Sequence, residues 1–176
     1  MEIPVFELKI KDPGREDVFA PTPPMQGLRM VFSFGMTASQ DRREPLCFMI
    51  LDAAREHWHS PATGPVCIRL PSGVGEEGGR GRLNKSMYGT RDAAANFQEE
   101  MRKIMVNIGF VRGKYNTSTY YHKKRNLKVL VHGDDFVSSG MRQQAVWFKG
   151  ELDKRFKIKT KVIGSGPGEV KEGTVL

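Results

Sequence analysis

Three aspartates stand among residues that otherwise favour strands. Asp134 and Asp135 interrupt VLVHGDDFVSSG at residues 129–140, and Asp52 closes the apolar run LCFMILD at residues 46–52. Adjacent carboxylates repel each other and resist desolvation, so the pair requires solvent, a cation or a proton. Asp134 follows Asp52 by 82 positions, enough chain for the two strands to become neighbours in one sheet. Three carboxylates gathered by such a pairing would suit two Mg²⁺ ions about 3.5–4 Å apart, the clamp that stabilises both oxygens of an in-line phosphoryl transfer. Successive strand residues point to opposite faces. The expectation therefore puts Asp52 and Asp134 on the ions and Asp135 at their edge. Taken singly, an Asp pair is more often a turn or cap whose side chains bond nearby backbone amides.

Other residue types offer weaker chemistry. His57 and His59 would share a strand face and His132 adjoins the aspartates, so a zinc site is conceivable, but no HExxH or Cys/His spacing accompanies them. Cys47 and Cys67 form neither a disulfide framework nor a zinc-finger spacing, and read as small buried apolar residues. Trp58 and Trp147 could stack on bases, although a tryptophan beside a helical apolar face more often belongs to the core. The glycine-rich stretch SGVGEEGGRGR at 72–82 lacks a GK[ST] ending and reads as a flexible surface loop.

The elements that would position these groups follow from periodicity. Prolines 13, 21, 23 and 24 make the first two dozen residues extended or looped. MQGLRMVFSFGMTAS spaces Leu28, Val31, Phe32 and Met36 as an amphipathic helix, and LCFMILD and PVCIRLP read as strands. Asp92 or Thr90 can cap a helix carrying Phe97, Met101, Ile104, Met105 and Ile108 on one face and ending at Gly109. A hairpin follows, NTSTYYHKK and LKVLVHG about a turn near Arg125 and Asn126, with the aspartates at a second turn before FVSS. Arg142 to Phe156 reads as a helix and FKIKTKVIG as a lysine-alternating strand. The order predicts an α+β fold with helices on one face of an antiparallel sheet, of the split βαβ kind.

The 176 residues suffice for one sizeable core, and 39% hydrophobic with 27% charged residues is ordinary for a globular chain. No apolar run is long enough to span a bilayer, and MEIPVFELK has no signal-peptide pattern, so the expectation is an intracellular protein, cytoplasmic or nuclear, without a membrane partner. Charge is uneven. Residues 1–100 carry 12 Lys and Arg against 14 Asp and Glu, whereas residues 101–176 carry 16 against 6. Such a basic portion suits a polyanion, most often nucleic acid, and equally describes a solvated lysine-rich face.

LNKSMYGTRDAAANFQEEM at 83–101, NIGFVRGKYNTSTYY at 107–121 and VHGDDF occur in the order and at the intervals of LKKALYGLKQAPRAWY, LGF and YVDD. Upstream, DVFAPTPPMQGLRM matches FAPVVRMTTIRL, and ILDAAREHWHS takes the place of LDVKTAFL. Over about residues 17–160 the chain thus resembles the copia-type reverse transcriptase of long-terminal-repeat retrotransposons. The resemblance implies a right-hand polymerase palm, an RNA-directed DNA polymerase and nucleotidyltransferase. It would copy a primed RNA or DNA template from deoxynucleoside triphosphates with two Mg²⁺, or Mn²⁺, ions. By position, Asp52, Asp134 and Asp135 become the catalytic and metal-binding carboxylates. His57 falls where an aromatic residue lies beneath the sugar and excludes ribonucleotides, and Tyr88, Gly89 and Arg91 match the segment against the incoming nucleotide and template.

The resemblance also divides the chain: residues 1–40 as a remnant of the fingers with a first helix, 41–163 as the palm, and 164–176 as a tail toward a primer-holding region. Fingers are reduced and a thumb is absent from this expectation. In the same element, integrase and ribonuclease H domains would be the accompanying polyprotein parts. His132 and Gly133 replace Tyr-Val before the aspartates, Ala94 replaces a proline, and Ala54 replaces a lysine. The alternative expectation is a catalytically inactive remnant that binds nucleic acid through its basic C-terminal portion.

Overall fold

The alternation of buried and half-buried residues along Leu46–Ala54 follows directly from the two-residue period of a strand. In the computed structural model, which describes residues 23–37, 46–54, 59–75, 78–164, 166 and 168–172, this strand lies inside a six-stranded sheet. The elements in chain order are α1 (Met25–Thr37), β1 (Leu46–Ala54), β2 (Cys67–Arg69), β3 (Arg80–Arg82), α2 (Ala93–Asn107), β4 (Val111–Arg112), β5 (Thr119–His122), β6 (Leu127–His132), β7 (Asp135–Met141), α3 (Arg142–Asp153) and β8 (Lys157–Ile163). The fold is α+β, with three helices and antiparallel strands among the described residues.

The described residues fall into two compact units, 59–101 and 23–54 with 102–172. In the second unit the sheet runs β4-β5-β6-β7-β1-β8, every neighbouring pair antiparallel. Phe136 and Val137 are consecutive in β7 and so face opposite sides. Phe136 meets Phe148 of α3 at 6.2 Å between ring centroids, whereas Val137 packs with Val31 of α1 and Leu130 of β6. Helices therefore cover both faces of the sheet, not one as expected. The periods of α1 and α3 show that each has an apolar side, and nothing in them shows which side of the sheet it meets.

Close approach of α1 depends on Gly35. A Cβ there would stand 2.5 Å from the Phe48 ring and from Ser139 Oγ, so any larger residue would push the helix off the sheet. Beside it Phe32 meets Phe48 edge-on at 4.8 Å, a contact worth about 0.5–1.5 kcal/mol beyond the area it buries. On the other face Phe110, Trp147 and Phe148 pack together around the buried His122. Trp147 is thus a packing residue, as expected of a tryptophan beside an apolar helical face.

In the first unit, β2 and β3 form a two-stranded ribbon. The glycine-rich segment read as a loop therefore ends in a strand, because its last residues find a partner in β2. Polar groups join the segment at 61–63 to the start of α2: Thr63 Oγ1 shares its proton between Asp92 Oδ2 (3.1 Å) and Asn96 Oδ1 (3.0 Å), and Asn96 Nδ2 donates to Ser86 Oγ (3.0 Å). Asp92 thus spends its carboxylate on side chains. Cys47 is buried and Cys67 exposed, so the expectation of two buried thiols holds for Cys47 alone. No helix among the described residues is long and apolar enough to cross a membrane.

Candidate active site at the β6–β7 turn

Antiparallel pairing puts residues opposite one another on the same side of the sheet. Across β6, β7, β1 and β8 the register aligns His132 with Asp135, Asp135 with Asp52, and Asp52 with Lys159. One row of four polar side chains results, charged at three positions and ionisable at the fourth. It lies on the face that carries Phe48 and Val137, because Asp52 is even-spaced from Phe48, and Asp135 from Val137, along their strands.

The turn between β6 and β7 consists of Gly133 and Asp134. Gly133 has φ +58° and Asp134 has no positive φ, the sign pattern of a type II′ hairpin turn, which calls for glycine at its first position. Ala53 N–H donates to Asp134 O at 3.0 Å, extending the β1–β7 ladder into the turn. The order of the two neighbours therefore differs from the expectation. Asp135 stands directly across from Asp52, and Asp134 occupies the turn beside them.

Burial pushes the Asp135 carboxyl above the usual carboxylate range, and repulsion from Asp134 and then Asp52 pushes it further, with His132 pulling the other way. Asp135 thus lies within electrostatic reach of both Asp134 and Asp52. Lys159 Nζ lies 3.5 Å from Asp52 Oδ2, and both side chains are well exposed, so the ion pair is worth roughly 0–1 kcal/mol. Among the described residues no group of three His, Cys, Asp or Glu is gathered closely enough to hold a metal ion. The donor set nevertheless suits a hard divalent cation: all carboxylate oxygens, two of them on directly opposed strand positions, with a repulsion that a cation would relieve. The Lys159 ammonium would compete with such an ion for the charge of Asp52.

The remaining sequence-derived candidates belong to the first unit or fall outside the described residues. Tyr88 and Arg91 are exposed and Gly89 has φ +85° in the segment just before α2, within the first unit. His57, like Trp58, lies outside the described residues. Of the histidines weighed for zinc, His132 stands in the polar row and His59 is exposed in the first unit. Sequence reasoning missed Lys159. Its signal was the lysine alternation of FKIKTKVIG, which puts Lys157, Lys159 and Lys161 on one side; the register then places them across from Ala54, Asp52 and Ile50. No protein-family model matches the chain.

Proposed function

We propose that this chain is the palm portion of a copia-type reverse transcriptase, an RNA-directed DNA polymerase acting at Asp52, Asp134 and Asp135. The observation that carries the reading is the strand register: Asp52 is directly opposite Asp135, the second aspartate of the Gly-Asp-Asp stretch and the first residue of β7. Asp52 and Asp135 are 83 positions apart in the chain, and a random pairing of their strands has no reason to bring these carboxylates together.

In this reading Asp52, Asp134 and Asp135 would hold the divalent ions, whose role when bound is to neutralise charge on the triphosphate and activate the attacking oxygen. The chain's own part is to keep carboxylates side by side on rigid strands, so that their repulsion is relieved only by cation binding or protonation. Lys159 supplies a cation to Asp52 and would yield it to the ion. Lys157, Lys159 and Lys161, exposed on the same face of the edge strand β8, provide phosphate contacts for a template-primer backbone beside the carboxylates. Tyr88, Gly89, Arg91 and His57 take the nucleotide-facing roles that the resemblance assigns them.

A second reading has its own support. The Lys159 ammonium on Asp52, with no three-ligand group assembled among the described residues, also fits a remnant that binds nucleic acid without catalysis. Thermal melting separates the two. In the catalytic reading, Mg²⁺ or Mn²⁺ at ten times its dissociation constant stabilises the chain by about 1.4 kcal/mol, which is several degrees in Tm, and Asp134→Asn abolishes most of that shift. Extension of a primed template with dNTPs would establish activity. Equal melting temperatures with and without metal would eliminate the retained site and leave the remnant.

A further inference from the structure

At the other end of the face that carries the carboxylates, a second cross-strand row exposes aromatic surface around a lysine. Val111 of β4 pairs with Tyr121 of β5, and Tyr121 with Lys128 of β6. All three therefore project on one side, where Lys128 also reaches Phe34 of α1. Lys128 Nζ sits 5.6 Å from the Phe34 ring centroid and 5.5 Å from that of Tyr121. The apolar groups are open to solvent: Phe34 is 48% exposed, Tyr121 40% and Val111 65%.

The patch is held in place. Asn126, at φ +49° in the β5–β6 turn, turns its Oδ1 toward both neighbours and accepts from Lys128 Nζ at 2.6 Å and from Tyr121 Oη at 3.4 Å. Lys123 and Lys124 are exposed in the same turn, and Arg125 is anchored over the Trp147 ring at 3.8 Å and to Gln144 Oε1 at 2.8 Å. Ring faces, a lysine between them and a fixed cationic turn are what a single nucleic-acid strand requires: stacking surfaces for bases and positive charge for phosphates.

Charge decides the class of partner. Residues 101–133 contain eight Lys and Arg and not one Asp or Glu. Lysines on an edge are a common protection against strand pairing, but protection does not call for exposed Phe and Tyr beside them. We propose that Phe34, Tyr121 and Lys128, with the turn at Lys123 and Lys124, bind single-stranded nucleic acid, the two rings stacking on bases and the lysines meeting phosphates. This surface goes beyond the polymerase reading, since it needs neither the carboxylates nor a metal ion.

The test is fluorescence anisotropy of a labelled 20-nucleotide oligouridylate and oligothymidylate on the full chain in EDTA, over 50–200 mM salt. Tyr121→Ala and Phe34→Ala should each weaken binding about fivefold to a hundredfold, and Tyr121→Phe should retain it. Lys123→Ser with Lys124→Ser should lower the salt slope by roughly 1.4 for two lost phosphate contacts. Binding that persists in EDTA separates this surface from the metal-dependent one. Circular dichroism of each variant guards against unfolding, and Phe34→Ser on the exposed side of α1 serves if Tyr121→Ala does not fold. Unchanged affinity in both ring variants would overturn the proposal. So would equal competition by heparin, polyglutamate or a 20-base-pair duplex, which would mean charge alone or a protein partner.

Discussion

Two rows of residues cross the same strands on the same face, and they have opposite fates. Lys128, Ser139 and Phe48 are aligned across β6, β7 and β1, as His132, Asp135 and Asp52 are four positions further along β6. The first row is crossed by α1 at Gly35, and its neighbours Val137, Leu130 and Val31 close into a dry cluster. The second row keeps its charges and partial solvent access. Where a helix can approach to van der Waals contact, apolar burial contributes about 1.5–3 kcal/mol per large side chain. Where the strands instead carry opposed carboxylates, that gain is forgone and repulsion is kept, a local conflict expected at functional sites.

The contrast can be broken from either side. The largest effect is expected from moving the acid one step inward: Val137→Asp puts a carboxylate into a position that is 1% exposed, two residues from Asp135 on the same face. An uncompensated buried charge should cost roughly 4 kcal/mol or more, and urea unfolding followed by circular dichroism should show a largely unfolded chain. Wild-type stability would mean that α1 does not cover this face. Gly35→Val comes next, with its Cβ 2.5 Å from the Phe48 ring and about 1–3 kcal/mol lost to overpacking in the same assay.

At the charged end the effects are smaller. Lys159→Gln removes the ammonium 3.5 Å from Asp52, and the Mn²⁺ concentration that half-saturates the thermal shift should fall about fivefold. An unchanged midpoint would show that Lys159 does not compete with the ion. The smallest effect concerns protons. The Asp135 carboxyl is raised above its ordinary value of 3.8, so between that value and the raised one the folded chain binds more protons than the unfolded chain. Stability contributed by this group therefore falls as pH rises through that window. Asp135→Asn should be slightly more stable than wild type at neutral pH without metal, and the difference should shrink as pH approaches 3.8. A difference that grows on acidification would contradict the sign.

Much of the secondary structure was legible. The apolar spacing of Leu28, Val31 and Phe32 marks α1, and Gly109, at φ +96°, lies just past the end of α2. The hairpin from Thr119 to His132 turns at Asn126, whose φ of +49° suits an asparagine. β4 was not legible, since two residues carry no period. Nor was β3, whose Arg-Gly-Arg becomes a strand only because β2 lies beside it.

The sequence by itself determined which residues alternate, where the chain turns and that three aspartates interrupt strand-like runs, because these depend on neighbours within a few positions. Only the tertiary structure decided that Asp135 rather than Asp134 faces Asp52, that Lys159 stands beside them, and that α1 and α3 take opposite faces. A one-residue slip of β7 against β1 would preserve every local preference and send Asp135 to the other face. Register is set by packing across the whole sheet, and that information is spread over strands far apart in the chain.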